Sequence, residues 1–265
     1  MIDATRELDS SSRRGDGAPR GTLARVLRWV GSSKLFSAPR RFAKKTVERY
    51  FSSKEIVPVF AYLPNGRATL QLISRIKAET DLLLGDLEAY ELYQAVTKTQ
   101  KLPGEIAEVG VFRGGSAKLI AETSGKPIHL FDTFEGLPDL TGEDRPDQFR
   151  KGDYSAALEN VERYLESYPN VILYKGFFPT TAGPVADKWF SFVHLDVDLY
   201  RPTLESLAFF YPRMTRGGII IGHDYRDIPR FHDSGVKKAF DEFFVDKPEV
   251  VIELLDGSQC LVVKT

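Results

Sequence analysis

From Glu105 onward, apolar runs of strand length alternate with helix-length segments, and few folds accommodate that rhythm. Strands are expected at Glu105–Val111, Ile128–Phe131, Val171–Lys175, Phe192–Asp196 and Gly218–Ile221. Helices fit between them at Ser116–Thr123, Ser155–Tyr168, Thr180–Asp187 and Pro202–Tyr211, with one more near Val236–Phe244. Two last strands, Val250–Leu254 and Gln259–Val263, flank Asp256-Gly257, a hairpin signal, so one sheet edge should be antiparallel. The expected class is α/β: a doubly wound, Rossmann-like, mostly parallel sheet with an antiparallel C-terminal hairpin and an N-terminal helical extension.

The chain ahead of this domain (residues 105–265) divides in two: a basic extension over residues 1–49 and a helical segment over residues 50–104. Between Arg13 and Arg49 stand eleven Lys/Arg against Asp16 and Glu48, although the whole chain carries a net charge of −1. Ser10–Gly21 is Ser/Gly/Arg-rich and reads as disordered. Leu23, Val26, Leu27 and Val30 share one helical face, with Arg25 and Arg28 off it. Two readings stay open: a solubilising tail docked on its own domain, or peripheral membrane contact through residues 13–49. Tyr50–Asn65 is aromatic and broken by Pro58 and Pro64. Leu70–Lys77 and Asp86–Thr99 then read as helices, the second with Leu87, Tyr90, Glu91 and Gln94 at helical spacing.

The near-neutral charge gives no general attraction to nucleic acid. One cysteine, Cys260, excludes a disulfide framework or a cysteine zinc site and fits a reducing, cytoplasmic compartment. The longest apolar runs, such as Gly217–Gly222, are too short to span a bilayer, and Met1–Ser12 is too polar for a secretory signal.

The run Glu108-Val-Gly-Val-Phe-Arg-Gly-Gly-Ser116 follows an expected strand and opens an expected helix, where an open α/β sheet binds its ligand. Gly110 suits a tight turn, and Gly114 and Gly115 suit close approach of backbone to a ligand. A dinucleotide fingerprint needs glycine where Val111 and Phe112 stand, so the loop suits a cofactor without pyrophosphate. S-adenosylmethionine is such a cofactor, and Glu108 offers an acceptor for its ammonium group. Asp132 ends the second strand, where a carboxylate accepts from ribose hydroxyls; a plain loop-capping role is the alternative.

Val193-His-Leu-Asp-Val-Asp-Leu-Tyr200 closes the fourth strand with Asp196 and Asp198, and Ile219-Ile-Ile-Gly-His-Asp-Tyr225 closes the fifth with His223 and Asp224. Ends of adjacent parallel strands converge on one crevice. These groups suit a divalent cation, Mg²⁺ being natural for oxygen ligands, or metal-free deprotonation of a hydroxyl. His129 and His194 are expected on helix-packed strand faces, as core histidines.

Over roughly Leu70–Phe244 the sequence resembles the macrocin O-methyltransferase (TylF-like) family of class I methyltransferases. The motifs are Glu105-Ile-Ala-Glu-Val-Gly-Val-Phe-Arg-Gly-Gly-Ser116, Phe131-Asp-Thr-Phe-Glu-Gly-Leu-Pro138, Gly176-Phe-Phe178, His194-Leu-Asp-Val-Asp-Leu-Tyr200 and Gly217-Gly-Ile-Ile-Ile-Gly-His-Asp-Tyr225. The resemblance implies O-methylation of a sugar hydroxyl on a glycoside, with S-adenosylmethionine as donor and Mg²⁺ on Asp196 and Asp224. It also implies an adenine-side turn at Gly176 and Phe177. Cofactor contacts are expected from Glu108, Gly110, Gly114, Ser116, Asp132, Thr133, Gly176 and Phe177. Homo-oligomerisation through Leu70–Thr99 is likewise implied. The family's fifth strand usually ends in an Asp-Asp pair, and His223 replaces the first of these. His223 and Asp198 are the groups expected to take the acceptor's proton, His223 because its reference pKa of ~6.5 suits a base near neutrality. Two rival classes are a cofactor-bound scaffold without methyl transfer and an iron oxygenase on a related sheet.

Overall fold

In the computed structural model the described residues are 62–144, 147–226, 235–255 and 257–265. The basic extension with its amphipathic stretch lies outside them, as do most of the Tyr50–Asn65 stretch and Asp256 of the hairpin turn. Seven strands form one sheet: β1 (Glu105–Val109), β2 (Ile128–Asp132), β3 (Val171–Lys175), β4 (Phe190–Leu195), β5 (Met214–His223), β6 (Ile252–Glu253) and β7 (Gln259–Val263). Their order is β3-β2-β1-β4-β5-β7-β6. β1 to β5 run parallel, and β7 lies antiparallel to both β5 and β6. The order reverses at β1 and β4, which pair directly (Val109 beside Leu195), so the crevice for a ligand opens past these two carboxyl ends.

Helices cover both faces. One layer holds α1 (Gly66–Glu79), α2 (Asp86–Thr99), α3 (Gly115–Thr123) and α4 (Leu158–Leu165). Its core joins Ile73, Ile76, Leu92 and Val96 to Ile106, Leu119, Ile120 and Phe192. The helices ahead of the alternating region therefore share one core with the sheet. In α2 the buried positions are Ala89, Tyr90, Leu92, Ala95, Val96 and Thr99, whereas Leu87, Glu91 and Gln94 are half-buried. The inward stripe is thus rotated from the one expected.

The opposite face carries α5 (Tyr200–Phe210) and α6 (Gly235–Phe244) over an aromatic core. Phe178 stacks on Phe210 at 5.1 Å, and Phe131 meets Phe178 edge-on at 4.9 Å. Phe131, Phe190 and Phe210 are completely buried, each contributing about 1.5–3 kcal/mol from its apolar surface.

The helix expected at Thr180–Asp187 is instead a single 3₁₀ turn, Gly183–Val185. Gly183-Pro184 explains the difference: Pro184 lacks an N–H, and glycine disfavours helix. α4 begins at Leu158 rather than Ser155, and β5 starts four residues early, at Met214. Gly217, at φ +81°, marks the irregularity at which β5 shifts register against β4. Among the described residues no helix is long and apolar enough to cross a membrane.

Candidate active site

Gly110 takes φ +90°, and a Cβ there would lie 1.8 Å from the Asp196 carbonyl oxygen. The first loop glycine is therefore required by the closeness of the β1 and β4 chains. Gly115 abuts Leu82, where a Cβ would sit 2.8 Å from its Cα, and Gly114 (φ +78°) precedes α3 against Val161, Tyr164 and Leu165. Packing within the chain thus requires a small residue at each of these two positions.

Asp132 holds this loop in shape. Its Oδ2 accepts the N–H groups of Val111 at 2.7 Å and Phe112 at 2.8 Å, and Oδ1 accepts that of Phe134 at 2.7 Å. A carboxylate has about four acceptor positions, so three are already in use. Thr133 closes the next turn: its hydroxyl donates to the Gly136 carbonyl at 2.9 Å and accepts from the Glu135 N–H at 3.1 Å. Gly176 (φ +138°) donates its N–H to the Asp132 carbonyl at 2.9 Å, and Phe177 beside it is half-buried.

Glu108 lies beneath the loop and is completely buried. Oε1 meets His194 Nδ1 at 2.8 Å, while Oε2 has no hydrogen-bond partner. Burial pushes this carboxyl up, against the opposing pull of His194. Ser116 is buried in the first turn of α3, on the side of Glu108. His129 is also buried, bridging Tyr174 Oη at 3.0 Å and Glu105 Oε2 at 2.5 Å. Both histidines take the core positions expected of them.

Across the crevice, His223 Nδ1 stands 3.0 Å from Asp196 Oδ1 and 3.2 Å from Asp224 Oδ2. Ligand atoms of Asp196, His223 and Asp224 all lie within 4.8 Å of one another. Burial disfavours the imidazolium, but the charges of Asp196 and Asp224 outweigh it and raise His223 well above its ordinary value. Burial likewise opposes ionisation of Asp224, yet the His223 charge carries that carboxyl well below the usual range. Asp198 moves the other way: burial first, then the charges of Asp224 and Asp196, push it well up. The carboxylates of Asp196 and Asp224 thus flank the His223 imidazole.

Two further residues reach the cluster. Glu88, in the first turn of α2, has Oε2 3.5 Å from His223 Nε2. Tyr154 packs edge-on against Phe112 at 6.0 Å. Burial, with Asp198, Asp224 and Asp196 nearby, pushes its hydroxyl up to about 12. Nothing in the local sequence marked Glu88.

Non-glycine residues at positive φ gather here. Phe112 (48°), Phe134 (58°), Tyr154 (61°), Asp198 (60°) and Asp224 (59°) all lie on loops around the crevice. Such conformations cost of order 1–3 kcal/mol each and persist at sites where the surroundings impose them.

The family profile described as macrocin-O-methyltransferase (TylF) matches residues 84–248, which include the glycine loop, Asp132 and the acid cluster. The chain belongs to the TylF family. It is 29% identical over 154 residues to the demethyldecarbamoylnovobiocin O-methyltransferase of Streptomyces niveus, covering 50% of this chain and 57% of that protein. It is 27% identical over 142 residues to the mycinamicin III 3''-O-methyltransferase of Micromonospora griseorubida, covering 47% and 56%. The chain spans about half the length of the curated relatives it matches. The solved O-methyltransferase NovP aligns with TM-score 0.59 and 26% identity over 68% of this chain and 81% of that one. The calicheamicin methyltransferase CalS11 aligns over 97% and 99% with TM-score 0.56; at 18% identity it shows the fold alone. The matched TylF region begins at Leu84, so it takes in α2 and Glu88 along with β1 to β5.

Proposed function

We propose that this chain is an S-adenosylmethionine-dependent O-methyltransferase acting on a hydroxyl of a sugar or glycosylated small molecule. The observation that carries this is the meeting, at the β1/β4 switch of a TylF-family chain, of the Asp132-held glycine loop with an acid cluster. A scaffold would need the first and not the second. A 4'-O-methyltransferase of Streptomyces olivaceus, 29% identical over 140 residues, is named for a rhamnosyl-tetracenomycin substrate, which supports a glycoside acceptor.

The donor fits the residues present. Glu108 Oε2 is a buried acceptor without a partner, suited to an ammonium group. Asp132 keeps one acceptor position for a ribose hydroxyl, and Gly176-Phe177 flanks it. When bound, the sulfonium supplies an already activated methyl group, so the protein's task is alignment. A divalent cation fits too: Asp196 and Asp224 would hold it, and it would lower the pKa of the acceptor hydroxyl. Asp198, beside Asp224, would take the proton as the C–O bond forms, once a cation on Asp196 and Asp224 has offset the charges that keep it protonated. Tyr154 and Phe112 form an aromatic wall for a ring-shaped acceptor.

Incubation with S-adenosylmethionine labelled in its methyl group, and a panel of nucleotide sugars and glycosides, tests this. Label should pass to a hydroxyl-bearing sugar in the presence of a divalent cation, and Asp198→Asn should abolish transfer while donor binding persists. Transfer to nitrogen or carbon acceptors only would overturn the assignment.

A further inference from the structure

Glu88 has no part in the chemistry above, yet it is held in place from several directions. Gly85 donates its N–H to Glu88 Oε2 at 2.5 Å, in the manner of a capping box that starts α2. Ser258 Oγ, from the turn before β7, donates to Oε1. Arg226 Nη2, past β5, lies 3.9 Å from Oε1 and 3.3 Å from Asp224 Oδ1. The side chain is only 14% exposed. Burial opposes its ionisation, but His223, Ser258 and Gly85 bring its carboxyl down to about 2.

The imidazole of His223 therefore lies between two sets of oxygens. Nδ1 faces Asp196 and Asp224, with ligand atoms of all three residues inside 4.8 Å. Nε2 is buried, makes no hydrogen bond, and faces Glu88 Oε2 at 3.5 Å. A metal-bound histidine commonly donates its second ring N–H to a carboxylate, which fixes the tautomer and strengthens the ligand. The parts of that arrangement are present here, with the carboxylate supplied from a helix outside the strand ends.

We propose that His223 gives the cation held by Asp196 and Asp224 a nitrogen ligand, Nδ1, and that Glu88 positions the ring by accepting its Nε2 proton. This rests on the cation-assisted methyltransferase reading and departs from the all-oxygen Mg²⁺ set that the family resemblance implies. Imidazole ligation favours Fe²⁺, Co²⁺ or Ni²⁺, whereas Mg²⁺ prefers oxygen donors. Replacement of the first acid by His223 then changes which ion the site selects. Glu88 is a positioning residue: it touches neither cation nor substrate.

The test uses the full chain, titrated calorimetrically with Co²⁺ and with Mg²⁺, each with and without S-adenosylhomocysteine. Co²⁺ should bind at least about tenfold more tightly than Mg²⁺. His223→Asp should cut that ratio at least about tenfold. Glu88→Gln should weaken Co²⁺ by roughly 10–100-fold, with S-adenosylhomocysteine binding unchanged. Proton NMR of the Co²⁺-loaded chain should show a hyperfine-shifted, exchangeable imidazole N–H. That signal should vanish in His223→Asp and exchange faster in Glu88→Gln. Equal affinity for the two ions, an unchanged ratio in His223→Asp, or absence of the shifted proton would overturn nitrogen ligation. Unchanged Co²⁺ affinity in Glu88→Gln would overturn the positioning role. If S-adenosylhomocysteine binds but no cation does, the inference fails alone; if S-adenosylhomocysteine does not bind, the methyltransferase reading itself has failed.

Discussion

Asp132 shows how a residue chosen for one reason can serve another. A carboxylate at the end of β2 was expected to meet ribose, but in the structure it first binds the N–H groups of Val111, Phe112 and Phe134. Asp132→Asn would set an amide donor against at least one of these donors. An unmade hydrogen bond at a part-buried site costs about 1–3 kcal/mol, so both melting temperature and donor affinity should fall. Loss of affinity at unchanged stability would mean that the loop holds its shape without Asp132. At this scale the strand-end acids were legible, because each closes an apolar run. Glu88 was not: it meets Ser258, 170 positions away, and only the fold brings the two together. The packing of Gly115 was hidden in a related way, since a Cβ there would meet Leu82, another long-range neighbour.

Among the elements, β3 and α2 have the expected bounds, because each is a strongly patterned run with clear stops. The extra length of β5 was hidden by Gly217-Gly218, which reads as a strand start and is in fact an irregularity within a strand. β6 shrinks to Ile252–Glu253, both exposed, since an edge strand with no buried face has little to define its length. β5 and α6 also meet through a fit that the sequence conceals. A Cβ on Gly222 would lie 2.4 Å from the Phe240 ring and 3.1 Å from Cys260 Sγ. Gly222→Ala should therefore destabilise by about 1–3 kcal/mol through overpacking. Adding Phe240→Leu should restore part of that loss, as read from urea denaturation midpoints. Strictly additive losses would show that the two positions are not coupled.

For the whole molecule, the end of the described chain is tied by a part-buried ion pair to the segment between α6 and β6. Glu249 accepts from Lys264 Nζ at 2.6 Å, Tyr211 Oη at 2.7 Å and the Thr265 hydroxyl at 3.0 Å. Burial alone would raise its carboxyl, but these partners bring it from 4.5 down to about 2. A depressed carboxylate adds stability above its unfolded pKa and loses it as pH falls through the folded one. Stability should thus decline between pH 4.5 and about 2, and Glu249→Gln should flatten that limb while lowering stability at neutral pH. A limb equally steep in the variant would assign the acid sensitivity elsewhere. At the same scale, Ile73, Ile76, Leu92 and Val96 of α1 and α2 face the chain's own core, leaving exposed positions such as Leu83 for any homo-oligomer contact. The central claim, a methyl-donor site at the β1/β4 switch, is tested most directly by calorimetric titration with S-adenosylhomocysteine. Saturable one-to-one binding is expected, weakened at least about tenfold by Asp132→Asn; absence of binding to the folded wild-type chain would contradict a methyl-donor site there.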